Sequence, residues 1–132
     1  MAFNKTKFLQ ILLILGSIYY LIGAIAHFFG LTIFPFFVKE LYSPYHDTMV
    51  ALVAIVISML LFVIAKNPIK NIDALKVVIV GGILTVIANI WQLWKIDFVQ
   101  LGAPAKKLQL IVEMILLMIY IVLLFIFKPK EK

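Results

Sequence analysis

Polar side chains interrupt the apolar runs of this sequence at a few positions, and chemistry could occur there. Glu113 stands inside the apolar run from Leu108 to Phe127. A carboxylate within a membrane span costs about 2.5–3.5 kcal/mol on insertion scales, so it usually faces a cavity or a polar partner. Further groups that could bind a ligand, transfer a proton or hold a metal occur at His27, His46, Asp47, Asn89 and Gln92.

The spacing of these residues places them on four helix faces. In the first apolar run, Gly16, Tyr20, Gly23 and His27 recur every three or four residues, the period of one helical face. Small residues let membrane helices approach, and polar residues avoid lipid by facing one another, so we expect these faces to meet inside a bundle. The other three stripes are Asp47, Ala51, Ala54 and Ser58; Gly82, Thr85, Asn89 and Gln92; and Gln109, Glu113, Leu116 and Tyr120.

The depth of the polar residues predicts a pocket in the outer half of the bundle. At 1.5 Å per residue, Glu113 lies about 8 Å from the outer end of its predicted helix, and Asn89 lies one turn below the outer boundary. Glycine and alanine fill the inner half of the same faces. We predict that Glu113, His27, Asn89 and Gln92 contact a ligand, with Asp47 and His46 at the same level and with Tyr20 and Trp91 as apolar walls.

Each of these residues also has a structural interpretation, which the sequence leaves open. Glu113 could form an interhelical hydrogen bond that fixes helix register, and Asp47 could cap the second helix. His27 and His46 come from different helices, which haem or a metal with two histidine ligands would require. Neither histidine lies in a metal-binding spacing motif, so we assign no metal ligand.

Four long apolar runs must position these residues. The chain has 132 residues, of which 65% are hydrophobic and 14% charged, whereas soluble domains have about 25% charged residues. Runs of about 20 apolar residues cross a bilayer, and they do so as helices because lipid cannot satisfy bare peptide groups. We predict one membrane domain over residues 1–132. It is an all-α antiparallel bundle with spans at about 8–29, 48–65, 74–94 and 108–127, and a short interfacial helix begins at Pro35 between the first two.

The basic residues are all lysines, and they cluster at the ends of the apolar runs. The larger cluster lies on the side of the chain termini, which predicts cytoplasmic N- and C-termini in a bacterial inner membrane by the positive-inside rule. The placement favours a collar at the lipid surface over a nucleic-acid site. The larger cluster is Lys5, Lys7, Lys66, Lys70, Lys76, Lys128, Lys130 and Lys132, and the smaller one is Lys39, Lys95, Lys106 and Lys107.

Four features together resemble a known group of proteins. They are the first helix with Gly16 and Gly23, the aromatic outer loop with Pro35, the Tyr45-His46-Asp47-Thr48 start of the second span, and its Lys66-Asn67-Pro68 end. In this layout the chain resembles the small four-helix bacterial membrane proteins described as DoxX-like and BphX-like. The resemblance covers most of the length and implies an accessory membrane component, in some relatives associated with respiratory or redox systems. It carries over no catalytic residue.

The sequence favours a non-enzymatic binding or accessory protein that holds a small or lipid-like ligand in the outer pocket. A quinone- or haem-binding redox subunit that uses His27 and His46 is one alternative. A structural subunit of a membrane complex is another. A small homo-oligomeric transporter is a third, against which the off-centre depth predicted for Glu113 counts, because alternating-access sites lie near the midplane.

Overall fold

Four long helices make up most of the computed structural model, which describes residues 4–130. Each helix is long and apolar enough to span a membrane, and each contains one of the predicted spans. Within residues 4–130 there is no β-strand, so the predicted all-helical, four-helix fold is confirmed. The helices are α1 (Lys5–Phe29), α2 (Pro44–Lys66), α3 (Ile72–Lys95) and α4 (Pro104–Phe127).

The helices form a ring in which consecutive helices are neighbours and α1 also contacts α4. Residues 4 and 130 therefore lie at the same end of the bundle, where the rings of Phe8 and Phe127 are 4.6 Å apart. We call this end inner and the opposite end outer. Lys132, which the sequence places in the larger lysine cluster, lies outside the described residues.

Local sequence signals begin and end the first two helices. The Asn4 side chain accepts a hydrogen bond from the Lys7 backbone N–H and caps α1. Gly30 ends α1 with φ of 62°, and a Cβ there would lie 2.9 Å from the Tyr42 ring, so only glycine fits. Asn67 and Pro68 follow the end of α2, because proline cannot continue a helix.

The outer loop, residues 30–43, differs from the expected interfacial helix. Its helical part is one 3-10 turn at Lys39–Leu41 and does not begin at Pro35. Instead, Ile33 and Phe37 exchange backbone hydrogen bonds of 2.9 Å and close a tight turn around Pro35. This turn directs Phe37 inward, where its side chain is 1% exposed. A helix from Pro35 would leave this exchange of hydrogen bonds unmade.

The inner half of the bundle is a dry core. Its buried residues come from all four helices and are all apolar, so the helices close on one another at this level. The core consists of Leu9, Leu12, Leu13, Leu61, Ile64, Ala65, Leu75, Ile79, Ile121 and Leu124.

The outer half of the bundle is held together mainly by contacts between α1 and α2. Ala24, Ala51 and Ala54 pack the two helices together, since small side chains permit close approach. In the middle of the bundle, Ser17 and Ser58 each donate to the other's backbone carbonyl, at 2.9 and 2.8 Å. By contrast, the outer half of α3 has no buried residue among positions 81–95, so it is less enclosed by the other helices than α1 and α2 are.

Candidate functional site

A cavity of about 410 Å³ lies between the α1–α2 and α3–α4 hairpins, above the dry core. Its lining includes members of all four polar stripes: Tyr20 and His27 from α1, Ala54 from α2, Asn89 from α3 and Glu113 from α4. The volume falls within the range of ordinary small-molecule sites. The stripes therefore do meet inside the bundle, as their spacing predicts.

At the outer end of the cavity, the lining residue His27 forms a histidine–carboxylate pair with Asp47. His27 Nδ1 lies 2.6 Å from Asp47 Oδ1, and both side chains are mostly buried, at 16% and 11% exposed. The other oxygen, Asp47 Oδ2, accepts a 2.7 Å hydrogen bond from the Ser43 N–H and so caps α2. Asp47 thus joins α1 to the start of α2 and fixes the His27 ring. This orientation leaves His27 Nε2 without a hydrogen bond to any of residues 4–130.

A stack of side chains covers this pair from the outer side. The Phe37 ring lies 4.2 Å from the His27 ring, and the Lys106 ammonium lies 4.5 Å from the Phe37 ring centroid. Such a cation–aromatic contact stabilises the lysine while its chain covers apolar surface. The outer loop therefore lies between the cavity and the outer aqueous side at this end.

Glu113 is positioned by Gln109, one turn earlier on α4. Gln109 is 2% exposed, and it uses both ends of its amide: Oε1 accepts from the Val38 N–H, while Nε2 donates to Phe36 O and to Glu113 Oε1 at 3.1 Å. One carboxyl oxygen of Glu113 is therefore held in place. The other, Oε2, has no hydrogen-bond partner among residues 4–130.

Several other polar groups of the lining also lack partners within the described chain. The Tyr120 hydroxyl is fully buried and makes no hydrogen bond to residues 4–130. The side-chain amide of Asn89 and the hydroxyls of Tyr19 and Tyr20 make none to residues 4–130 either. These last three groups are not fully buried, so they are accessible to a polar group in the cavity, whereas the Tyr120 hydroxyl is not.

Four of the residues assigned from sequence do not line the cavity, and the first of them, Asp47, is paired with His27 behind it. His46 is exposed, and its Nδ1 lies 3.0 Å from Ser43 Oγ. Trp91 is 57% exposed on the outer surface of α3, together with Trp94. Gln92 is half-buried but does not line the cavity. The structure thus brings together Glu113, His27, Asn89 and Tyr20, with Asp47 behind His27.

Glu113 lies farther from the outer end of its helix than the sequence interpretation places it. The sequence predicts a span from 108, but α4 begins at Pro104, a favoured first residue of a helix. The Glu40 carboxylate accepts from the Lys106 N–H, which satisfies one of the free donors of the first turn. Glu113 is therefore nine residues into a helix of 24, about 14 Å from its outer end and close to its middle.

The sequence interpretation missed four residues of the site. Tyr19 has no role in the sequence interpretation, yet its ring lies 4.8 Å from Phe36 in the cavity wall. Phe36 was placed in a surface helix. Tyr120 and Gln109 were recognised on the polar face of α4 without a role. For Gln109 the sequence does contain a signal. It precedes Glu113 by four residues, and side chains at this spacing meet on a helix.

Metal ligation has limited support in this geometry. Among residues 4–130, no three or more His, Cys, Asp or Glu side chains lie close enough to hold one ion. His27 and His46, the pair considered for haem or a metal, are directed to different partners, Asp47 and Ser43.

Comparison with family models, curated proteins and solved structures finds no match to this chain.

Proposed function

We propose that the protein is a small multi-pass membrane protein that binds a small or lipid-like ligand in the cavity between its two helical hairpins. In this role it acts as a binding or accessory component without chemistry of its own. Glu113, Asn89 and His27 supply the polar contacts, Tyr20 forms part of the wall, and Asp47 holds His27 in position.

One observation carries this proposal: the cavity is lined by polar groups that the described chain does not pair. A protein that used these residues only to join its helices would pair them with one another, as Ser17 and Ser58 are paired. Instead, Glu113 Oε2 and the Asn89 side-chain amide have no partners among residues 4–130. A bound ligand with a polar group would satisfy them.

Filling the cavity tests the proposal. Gly23 lines the cavity, and a Cβ there would have no heavy atom within 4 Å, so Gly23→Phe places a ring in open space. Gly81 has the same freedom on α3 but does not line the cavity, which makes Gly81→Phe the matched control. We expect native mass spectrometry from gentle detergent to reveal a bound small molecule on the wild type and on Gly81→Phe, and none on Gly23→Phe. A bare wild-type chain, or equal retention by both variants, contradicts ligand binding in this cavity.

A small homo-oligomeric transporter is a second candidate, favoured by the depth of Glu113. A carboxyl group near the middle of a span suits alternating access better than one near its end. Uptake into proteoliposomes that hold the wild type, but not those with Glu113→Gln, would support it. A quinone- or haem-binding redox subunit instead requires a coloured or quinone-loaded preparation. A structural subunit requires a co-purifying membrane partner and a stability loss on Glu113→Gln without loss of a ligand.

The orientation and the family relationship belong to the same proposal. The described lysines at the inner end outnumber those at the outer end, which supports cytoplasmic termini in a bacterial inner membrane. The DoxX-like or BphX-like relationship rests on the layout of the chain. Reporter fusions to the C-terminus would test the orientation.

A further inference from the structure

We infer that the ligand of this cavity is an amphiphilic organic cation, with its positive head against Glu113 and the surrounding aromatic rings. This inference rests on the proposed function, because it names the chemical class of the ligand for the same cavity. It follows from the charge of the lining, from its aromatic composition and from the side on which the cavity opens.

The charge of the lining is one-sided. Glu113 contributes a carboxyl group with one oxygen unpaired among residues 4–130, and no lysine lines the cavity. An anionic head would lie beside the Glu113 carboxyl group with no cation in the lining, whereas a cation would be placed directly against that carboxyl group. His27 does not change this balance, since its Nδ1 is already committed to the Asp47 carboxylate.

Lys106 interacts electrostatically with Glu113, but it does not line the cavity. Its ammonium lies 4.5 Å from the Phe37 ring centroid, and its backbone N–H is tied to Glu40. No hydrogen bond or ion pair joins Lys106 to Glu113 among residues 4–130, so a cationic head in the cavity would be the group in direct contact with the carboxyl group.

Aromatic rings surround the carboxyl group. Tyr19, Tyr20, Phe36 and Tyr120 all line the cavity with Glu113. Tyr19 packs 4.8 Å from Phe36 and 5.9 Å from Tyr20, measured between ring centroids, so three of the rings form one continuous wall. The faces of such rings attract cations, and the attraction grows when the cation is desolvated, as in sites for quaternary ammonium groups.

The cavity opens toward the bilayer, which explains why the cation should be amphiphilic. Leu15 and Leu116 line the cavity yet are 56% and 41% exposed, so they stand at the gap between α1 and α4. Val50, 46% exposed, marks the opposite gap between α2 and α3. These positions lie within the spans, so both gaps face lipid. A ligand reaches the cavity sideways, with an apolar tail left between the hairpins.

Three probes with straight alkyl chains of about equal length test the charge preference. Decyltrimethylammonium, decanol and decanoate differ mainly in the charge of the head, and their one-to-one adducts can be titrated by native mass spectrometry of the full chain in nanodiscs. We expect the ammonium probe to bind about tenfold more tightly than either of the others, a difference that one desolvated cation–aromatic contact can supply. Gly23→Phe should remove the adduct, and Gly81→Phe should retain it.

The Glu113→Gln variant connects the preference to the carboxyl group. We expect it to weaken the ammonium probe about tenfold more than it weakens decanol, so that the ammonium probe loses its advantage. Asp97→Asn is the matched control, because Asp97 is an exposed outer carboxylate that accepts from two backbone N–H groups and does not line the cavity. It should keep the preference.

The outcomes separate this inference from the proposed function. Decanol or decanoate binding as tightly as the ammonium probe, and lost in Gly23→Phe, would overturn the inference while the cavity remained a ligand site. An ammonium preference that survives Glu113→Gln would overturn it as well. If no adduct depends on Gly23, both the inference and the proposed function fail.

Discussion

The two hairpins consist of similarly apolar helices, yet they are held in different ways. In the most apolar 18-residue window of each helix, 33% of residues are buried for α1 and for α2, against 11% for α3 and 6% for α4. Side-chain hydrogen bonds join α1 to α2 at three levels: Gln10 to Ala65 at the inner end, the serine pair in the middle and His27 to Asp47 at the outer end. Among residues 81–95 of α3, the one side-chain hydrogen bond runs from Thr85 to Gly81 of the same helix.

This difference between the hairpins shows that hydropathy predicts which segments span the membrane, but not how strongly each helix is held by its neighbours. Lipid is as apolar as a leucine side chain, so burial of apolar surface does not by itself hold membrane helices together. Close packing of small residues and interhelical hydrogen bonds do, and they are concentrated in the α1–α2 hairpin. The cavity lies where such contacts are sparse.

Removing the Asp47 carboxylate, which joins α1 to α2 at the outer end, should have the largest effect on the free energy of unfolding. Asp47→Ala leaves the His27 ring and the Ser43 N–H without their acceptor, which should lower the free energy of unfolding by about 2–3 kcal/mol. Asp73→Ala is the control, because this carboxylate is exposed at the start of α3 and makes only a 3.4 Å contact to Lys76. Unfolding of both variants in mixed detergent–SDS micelles, followed by circular dichroism, measures the difference. Equal losses would contradict the comparison between the hairpins.

Enlarging a residue between α1 and α2 should have the next largest effect. Ala51 is 0% exposed, so Ala51→Leu should overpack the interface and cost about 2 kcal/mol. Ala88 is exposed on α3, and Ala88→Leu should leave stability nearly unchanged. The same unfolding assay compares them. A large loss at Ala88 would indicate that the outer half of α3 packs on a partner.

The Ser17–Ser58 pair should contribute less to the free energy of unfolding than Asp47 or Ala51 does. Ser17→Ala, Ser58→Ala and the double variant form a cycle whose coupling free energy we expect to be about 0.6–1.7 kcal/mol, the range measured between membrane helices. Thr85→Ala removes a hydroxyl that bonds within its own helix and should cost less. A coupling near zero would mean that the alanine packing alone holds the hairpin.

The smallest effect should come from two adjacent glycines of α3. Gly81→Ala adds a methyl group in open space and should stabilise the protein by about 0.5 kcal/mol through helix propensity. Gly82→Ala should destabilise it instead, because its Cβ would lie 2.8 Å from the Ile121 side chain. Thermal unfolding in detergent distinguishes the two signs. Equal shifts would mean that α3 and α4 do not pack at Gly82.

Much of the fold follows from the sequence, because each span is long, apolar and ended by a glycine, a proline or a lysine. The helical period also assigns Glu113, Asn89, His27 and Tyr20 to one interior. The outer loop could not be predicted this way, because the exchange of hydrogen bonds between Ile33 and Phe37 depends on backbone geometry. For the same reason the sequence did not place Phe36 in the cavity wall.

Helix ends were the second source of error. The predicted span at 108 omits the first turn of α4, which carries Lys106 and Lys107 and appears too polar for a span. That turn is stabilised by Glu40, a residue 66 positions away. A partner so distant in sequence cannot be inferred from local composition, so the sequence places Glu113 closer to the outer end of its helix than the structure does.

The outer loop connects α1 to α2, but Gln109 and the first turn of α4 hold it from the other hairpin. The two hairpins are thus pinned to each other near their outer ends by this loop and at their inner ends by the dry core. Hairpins that are joined at both ends cannot separate at either end, so they can move apart only in the middle of their helices. Any change in cavity width should therefore appear as broadened spin-label distances between mid-helix positions, while distances between helix ends stay narrow.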